Sequence, residues 1–197
     1  MDLKVGRLMT RRLQWQPLKD RPDLAAPAVR AALDDLDALV APIDPGLADT
    51  TAFCAEYGVP LDASANCLIV EGRRSAVTRV AAVVVLATAR ADVRGVVRRH
   101  LDVRKLSFTA HDDAVGRTGM EYGGITPIGL PADWPVLVDE AVTTAGSVIL
   151  GSGIRGSKLL VEGSALRRLH AAQIIALALP ATDDADIEVA RPALSGH

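Results

Sequence analysis

The sequence contains very few aromatic residues and very few cysteines. Phe, Trp and Tyr make up only 3% of the 197 residues, so the core has to be built from Ala, Val, Leu and Ile. Cys54 and Cys67 are the only two cysteines. We interpret both as small buried hydrophobic residues, not as redox or nucleophilic groups.

Signals of membrane, secreted and metal-binding proteins are also missing. The longest apolar run, residues 80–89, has about half the length that a membrane-spanning helix needs. The N-terminus has charges but no apolar segment typical of a secretory signal. The four histidines show no paired spacing with Cys, Asp or Glu that would indicate a metal site. We therefore expect a cytoplasmic protein with no membrane partner, no metal and no cofactor.

The charge balance excludes a generally basic protein that coats nucleic acid. The formal net charge is −2 and the sequence pI is about 6.1, so we expect no DNA partner, although a local basic patch could still meet a tRNA end. A basic run is present at Arg94, Arg98, Arg99, Arg104 and Lys105. It is either a contact for a tRNA acceptor stem or a solvated helix face.

The order of hydrophobic patterns predicts one α+β domain, with a mixed, curved β-sheet flanked by helices. Strands are predicted at residues 40–43, 67–70, 77–88, 105–109, 136–139, 147–150 and 159–162. Helices are predicted at 23–39 with Asp23 as N-cap, at 49–57, at 92–101 with Asp92 as N-cap, and from about Ser164. Residues 71–75 have turn composition and predict a hairpin.

Residues 119–129 contain four glycines and one proline. Glycine adopts positive φ without steric penalty and leaves its backbone open to close approach, while proline stiffens the segment. Backbone N–H groups held in this way can stabilise the negative charge that develops on a carbonyl oxygen. The alternative interpretation is a tight connection between two strands.

A second glycine motif, Gly151 to Gly156, matches the G-x-G-x-x-G pattern of dinucleotide-binding loops. That fingerprint requires a helix to begin at the third glycine. Here the following residues have the pattern of a strand. We therefore predict a hairpin connection and no dinucleotide site.

Three sequence segments together resemble the YbaK/prolyl-tRNA-editing family of aminoacyl-tRNA deacylases. Gly123-Gly-Ile-Thr-Pro-Ile-Gly129 is similar to the family's G-x-x-x-P loop, Val138-Asp139 follows about ten residues later, and Ser152-Gly-Ile-Arg-Gly156 precedes Leu159-Leu-Val-Glu-Gly163. The resemblance implies a domain at 44–179, an extension at 1–43 that packs on it and a tail at 180–197.

The resemblance also implies a function. It is hydrolysis of the ester between a wrongly attached amino acid and the 3′ end of a tRNA, with Gly123 and Gly124 supplying oxyanion donors. Water and the substrate's own ribose hydroxyl would act without a metal. The transient partner is an aminoacyl-tRNA 3′ end. The implied substrate-binding residues are Thr118, Tyr122, Thr126, Pro127, Gly129, Asp139, Gly151, Ser152 and Gly153.

Some of these residues have alternative roles. Asp139 either binds the amino group of the substrate or caps a turn after its strand. Thr118 and Ser152 would contact the ribose. Tyr122 is expected to form a pocket wall, because an unperturbed phenol with a pKa near 10 donates a proton poorly at neutral pH.

The sequence departs from the family pattern at Asn66, where a lysine is expected. Asparagine donates and accepts hydrogen bonds but carries no charge. Three outcomes are open: Asn66 positions the substrate in an active deacylase; another cation such as Arg117, Arg155 or Lys158 reaches the site; or the chain is a non-hydrolytic relative that binds aminoacyl-tRNA or a nucleotide.

Overall fold

The computed structural model describes residues 12–32 and 36–180. Its strands are β1 (Gln16–Pro17), β2 (Leu39–Pro42), β3 (Ala65–Arg74), β4 (Val77–Leu86), β5 (Ala89–Ala91), β6 (Lys105–Phe108), β7 (Val136–Asp139), β8 (Ser147–Gly151), β9 (Ser157–Glu162), β10 (Ala172–Ile175) and β11 (Ala178–Pro180). Its α-helices are α1 (Pro27–Ala31), α2 (Thr50–Tyr57), α3 (Arg98–His100), α4 (His111–Thr118) and α5 (Glu140–Thr144). The predicted α+β class is confirmed.

The strands form two principal sheets. A mixed five-stranded sheet has the order β10-β7-β4-β3-β6, in which β7 runs parallel to both β4 and β10. An antiparallel four-stranded sheet has the order β1-β2-β9-β8. A parallel bridge between Ser64 and Ile149 connects the two sheets, and β5 pairs separately with β11.

Strand β4 explains the apolar run at residues 80–89. Its even residues from Val80 to Val84 lie in one hydrophobic cluster, and its odd residues from Ala81 to Val85 lie in another. A strand buried on both faces needs a continuous apolar sequence. None of the helices within the described ranges is long and apolar enough for a membrane crossing.

The predicted helix at 23–39 is wrong in its start and its length. Asp23 lies inside a 3-10 turn, Pro22–Leu24, and α1 covers only Pro27–Ala31. Proline is tolerated at the first helical position but cannot continue a helix from upstream, which explains why α1 begins at Pro27. Residues 33–35 lie outside the described ranges.

Two other boundaries differ from the predictions. The turn predicted at residues 71–75 is confined to the tip of the hairpin, because Glu71 to Arg74 pair with β4 and Glu71 to Arg73 also pair with β6. The helix predicted from Ser164 is a 3-10 helix, Gly163–Arg168, and is followed by β10 and β11. Short apolar runs do not distinguish a strand from a helix by periodicity alone.

The residues before position 44 contribute strands and contacts to the rest of the chain. β2 pairs with β9, and the Ser157 hydroxyl donates to the carbonyl of Leu24 over 2.6 Å. Residues 1–11 and the tail predicted at 180–197, apart from Pro180, lie outside the described ranges. The boundaries at 43 and 179 stay predictions.

A hydrophobic cluster beside the four-stranded sheet contains a buried lysine. Phe53, Cys54, Ile149 and Leu160 belong to this cluster, and the Lys158 ammonium lies 5.3 Å from the centre of the Phe53 ring. Lys158 is 5% exposed. Burial disfavours the charged ammonium and lowers the pKa of Lys158 from 10.5 to about 8.

This lowered pKa predicts a pH-dependent contribution to stability. Between pH 8 and pH 10.5 the unfolded chain holds a proton on Lys158 that the folded chain has lost, so folding becomes more favourable as the pH rises. We expect the unfolding free energy of the wild type, relative to Lys158→Met, to increase by about 3 kcal/mol across this interval.

Urea unfolding of both proteins at several pH values measures this difference. Lys105→Met, which removes an exposed lysine from β6, is the matched control and should show no comparable trend. A constant difference between wild type and Lys158→Met would contradict the prediction.

Candidate functional site

The glycine-rich segment at residues 119–129 packs directly on the β8–β9 hairpin. A Cβ atom added to Gly124 would lie 2.6 Å from the backbone carbonyl carbon of Ile154, and one added to Gly151 would lie 2.3 Å from the Gly124 oxygen. The Gly153 N–H donates to this same oxygen over 2.7 Å. Glycine is therefore required at positions 124 and 151, because the protein's own backbone lies too close for a Cβ atom.

Two further predicted residues contact α1 and the chain before it. Gly129 has φ +79°, and a Cβ atom there would lie 2.3 Å from the Ala28 oxygen. Gly153 has φ +84°, and a Cβ atom there would lie 2.4 Å from that of Ala26. Positive φ and lack of space each exclude other residues. These glycines position the loop between α1 and the hairpin.

The hydrogen-bonding groups of the loop are only partly used. The Gly124 N–H donates to the Glu121 carbonyl over 2.9 Å. In contrast, the N–H groups of Gly123, Ile125 and Thr126 find no acceptor in the described part of the chain. The Thr126 hydroxyl is fully buried and also has no partner there. Gly123 is exposed and Ile125 half-buried, so the cost of an unpaired polar group applies mainly to the buried Thr126.

Asn66 lies beside the N-terminus of α2. The Asp49 carboxylate caps this helix by accepting from the N–H groups of Thr51 and Ala52, which fixes Thr50 at the first helical position. The Thr50 hydroxyl then donates to the Asn66 side-chain oxygen over 2.6 Å. No acceptor for the Asn66 amide nitrogen is found within the described ranges. Its two N–H groups are left for another partner.

The residues just before α2 connect Asn66 to the glycine loop. A Cβ atom on Gly123, which has φ +81°, would lie 3.3 Å from the Ala48 Cβ. Ala48 is two residues before Thr50. The Lys158 ammonium donates to the Ala48 carbonyl over 2.8 Å. We call residues 45–50 the Pro45 corner, because they bring Gly123 and Asn66 to the same region.

Arg155 fastens the glycine loop to the Pro45 corner. Its guanidinium donates to the carbonyl of Tyr122 and to that of Pro45, each over 2.9 Å. Its backbone N–H donates to the Glu121 carboxylate over 2.7 Å. Arg155 therefore reaches the edge of the site, and its role there includes holding three chain segments together.

The other two cations named from the sequence are also engaged. Lys158 is buried and donates to the Ala48 carbonyl of the Pro45 corner. Arg117 donates to Glu71 over 3.2 Å and lies 4.8 Å from the Trp134 ring centre. Both side chains therefore already have partners within the protein, and a role of either cation in place of the lysine stays a prediction.

Three of the predicted ligand residues, Asp139, Thr118 and Ser152, form hydrogen bonds within the protein. The Asp139 carboxylate caps α5 by accepting from the Ala141 N–H and also accepts from the N–H groups of Leu177 and Ala178. These contacts fit the alternative of a capping residue. The Thr118 hydroxyl donates to the Ala114 carbonyl over 2.7 Å. Ribose or amino-group binding by these two residues would require these bonds to break.

Ser152 is fully buried, and its hydroxyl lies 2.7 Å from that of Ser157. This pair joins the hairpin to the Leu24 carbonyl. Tyr122 is half-buried, and its ring centre lies 4.0 Å from that of His111. Pro127 is buried inside the loop. Ser152 and Pro127 are therefore buried residues that support the loop, while Tyr122 lies on its partly exposed side.

The cysteines are unsuited to nucleophilic chemistry. Burial raises the pKa of the Cys54 thiol and, more strongly, that of the Cys67 thiol. Thiolate is the reactive form of cysteine, so a raised pKa lowers reactivity. Cys54 is buried as predicted, whereas Cys67 is half-buried and packs against the main hydrophobic cluster.

The sequence did not identify Thr50, Glu121 or Ile125 as members of the site. Thr50 contacts Asn66 from a position 16 residues earlier, and Glu121 contacts Arg155 from 34 residues earlier. The only available signal was the helix N-cap at Asp49, which places Thr50 but does not show what it faces. Ile125 has no sequence signal, since its contribution is a backbone N–H.

Comparisons with known proteins identify the family. The aminoacyl-tRNA editing domain matches residues 44–169, or 126 of the 197 residues. No functionally curated protein sequence matches.

Two solved structures share the fold. A trans-editing enzyme candidate for prolyl-tRNA synthetase is 19% identical with a TM-score of 0.64, covering 77% of this chain and 97% of its own. A hypothetical protein is 20% identical with a TM-score of 0.63, and the shares are 77% and 96%. At these identities the structural likeness shows the fold, whereas the family match extends over more than half of the sequence. The chain therefore belongs to the aminoacyl-tRNA editing domain family.

Proposed function

We propose that this protein hydrolyses the ester bond of mischarged aminoacyl-tRNA as a separate, trans-acting deacylase. The observation that carries this proposal is a set of donors without an acceptor among the described residues: the Gly123 N–H and the Asn66 amide beside the Pro45 corner, and the Ile125 N–H two residues further along the loop. The family match and the printed description of the first structural neighbour support the same activity. Its substrate is a cytoplasmic aminoacyl-tRNA.

The reaction needs stabilisation of a developing oxyanion. Attack of water on the ester carbonyl carbon places negative charge on the carbonyl oxygen, and the 3′-terminal ribose oxygen then leaves with a proton. The N–H groups of Gly123 and Ile125 are the donors that we assign to this oxyanion. One such donor commonly contributes 10²–10³-fold to kcat. Gly124 contributes through its packing, because its own N–H is already used.

Asn66 supplies the third donor of the proposed site. The Thr50 hydroxyl takes the side-chain oxygen of Asn66, so the amide nitrogen is directed elsewhere and can donate to the substrate. Because this donor is uncharged, it orients the ester or ribose without the electrostatic attraction that a lysine would add. The substrate's own ribose hydroxyl assists the attacking water, and no side-chain nucleophile is required.

A panel of mischarged tRNAs provides the direct test. The purified protein should release the amino acid from at least one of them faster than buffer does, measured by loss of the radiolabelled ester. Failure on the whole panel would reject the enzyme. The second candidate function is binding without turnover, which the engagement of Arg117, Arg155 and Lys158 by other groups favours.

Asn66→Lys separates these two functions. If the parent protein has no activity, a gain of hydrolysis in Asn66→Lys would show an intact site that lacks one cation, and would support the binding function for the parent. If the parent is active, Asn66→Ala should lower kcat/KM by about 10–100-fold, because one donor to the reacting group is lost. An unchanged rate in Asn66→Ala would remove Asn66 from the mechanism.

The Thr50–Asn66 bond predicts a positioning effect. Thr50→Val keeps the shape but removes the hydroxyl, so the Asn66 amide loses its fixed orientation, and kcat/KM should fall by about 10-fold. Thr50→Ser restores a hydroxyl and should recover most of the rate. Equal rates for the valine and serine variants would show that the hydrogen bond does not matter.

The contact of Gly124 with Ile154 predicts a strong effect of a single methyl group. Gly124→Ala forces the loop away from the hairpin, so kcat should fall by at least about 100-fold and the unfolding free energy by about 1–3 kcal/mol. Gly116→Ala is the control, since nothing lies within 4 Å of a Cβ atom there.

Alanine is a better helix former than glycine, and Gly116 lies in α4. The control should therefore be as stable as the parent or more stable, with unchanged kcat. Thermal unfolding and deacylation assays measure both quantities. A fully active Gly124→Ala protein would contradict the role given to the loop.

A further inference from the structure

A surface cavity of about 430 Å³ lies at the end of the five-stranded sheet where β4 begins. Its wall is formed by the start of β4, the three residues before β7, Arg117 of α4, Gln173 of β10, and His100 with Leu101. Asn66 pairs with Val85 near the other end of β4. Val85 is six positions after Arg79 on the same strand. Because a strand rises about 3.3 Å per residue, the cavity lies about 20 Å from Asn66.

The cationic side chains of this cavity are held in place by other residues. Arg79 donates to the Leu101 carbonyl over 2.6 Å. Arg117 is oriented by Glu71 and by the Trp134 ring. A guanidinium has five N–H groups, and each of these arginines uses only one of them in the bonds described. Two preoriented guanidinium groups with spare donors therefore line one cavity.

The remaining polar wall is compatible with an anion. The His100 ring nitrogen Nε2 lies 2.5 Å from the Gln173 side-chain oxygen, and Asp133 is the single carboxylate in the wall. Arg73 extends the positive charge, since its guanidinium donates to the wall residue Thr78 over 3.0 Å. Together with Glu71, which pairs with Arg117, two carboxylates face three arginines, so the local excess is one positive charge in a protein whose formal net charge is −2.

From these contacts we propose that the cavity binds backbone phosphates of RNA. A phosphodiester is a singly charged anion with oxygens that accept from guanidinium groups. Trp134 is only 4% exposed and is covered by Arg117, so its ring offers no free face to a base, and the His100 ring is bonded to Gln173 through its nitrogen. A wall dominated by guanidinium donors fits the RNA backbone better than a free nucleotide.

The identity of this RNA rests on the proposed function. An aminoacyl-tRNA whose 3′ ester lies at Gly123 and Asn66 has an acceptor arm that continues away from that point. A cavity about 20 Å away along β4 is then placed to hold phosphates of that arm. It would add affinity for every tRNA, because backbone phosphates do not specify a base sequence.

Binding of an uncharged RNA hairpin that copies a tRNA acceptor stem with its single-stranded CCA end tests the site without any ester. Fluorescence anisotropy at several KCl concentrations gives the affinity and its salt dependence. Arg79→Gln and Arg117→Gln should each lower the affinity by about 3–10-fold and flatten the slope of log K against log salt by about one.

Two further variants make the result specific. Arg79→Lys keeps the positive charge and should retain the slope, whereas a merely structural role would not separate lysine from glutamine by salt dependence. Arg12→Gln removes an equal charge beside Glu56 of α2, outside the cavity, and should bind like the parent. Thermal unfolding confirms that each variant is folded.

Two outcomes would overturn the inference, and a third would separate it from the proposed function. Unchanged hairpin binding in both glutamine variants would show that the cavity does not contact RNA. Displacement of the hairpin by AMP or inorganic phosphate at equal or lower concentration would assign the cavity to a small phosphate ligand. A parent protein that binds the hairpin but hydrolyses no ester would reject the proposed function and leave this site intact.

Discussion

The backbone of Gly124 lies against the backbone of Ile154, and this contact determines where the rest of the site can be. It leaves no room for a Cβ atom on either Gly124 or Gly151. The glycine segment is consequently positioned by the hairpin, a rigid pair of antiparallel strands. Its unpaired N–H groups are fixed before any substrate arrives, which is the condition under which backbone dipoles stabilise charge most effectively.

Near this contact, the neutral side chain of Asn66 occupies the position where a lysine was expected. The Thr50 hydroxyl orients Asn66, and the cations nearest to the loop serve other purposes: Arg155 holds carbonyl groups and Lys158 supports the Pro45 corner. The site is thus rich in donors but has no mobile positive charge at Asn66. In the hydrolysis that we propose, selectivity for an ester would depend more on geometry than on attraction.

The sequence predicted those features that depend on local interactions. The hairpin at Gly151 to Gly156 was correct because a strand pattern follows the last glycine, and β8 and β9 pair as expected. Asp92 is the N-cap at the predicted place, although the turn that it caps, Val93–Val97, is a π-helix that continues into α3, and α2 ends at Tyr57 with Gly58 at φ +67° as its C-cap. Each of these depends on residues within a few positions of one another.

Features that depend on distant partners were not predictable. The Asp139 carboxylate is occupied by N–H groups 38 and 39 residues later, and no pattern around Asp139 indicates them. The glycines of the loop were expected to leave space for a ligand, but Gly124 and Gly129 accommodate the protein's own backbone. Helix α4 and strand β10 are short, and tertiary packing decides their conformation.

The hydrogen bonds between Arg155 and distant chain segments have a consequence for the order in which the protein folds. Arg155 contacts Pro45 across 110 residues, Lys158 contacts Ala48 across the same separation, and Ser157 contacts Leu24 across 133. Contacts of such long sequence separation form only after large loops have closed. During translation, the contacts of the Pro45 corner with Arg155 and Lys158 can form only after most of the chain has left the ribosome. The Pro45 corner is therefore held in its final position only once the β8–β9 hairpin, which carries Arg155 and Lys158, has formed.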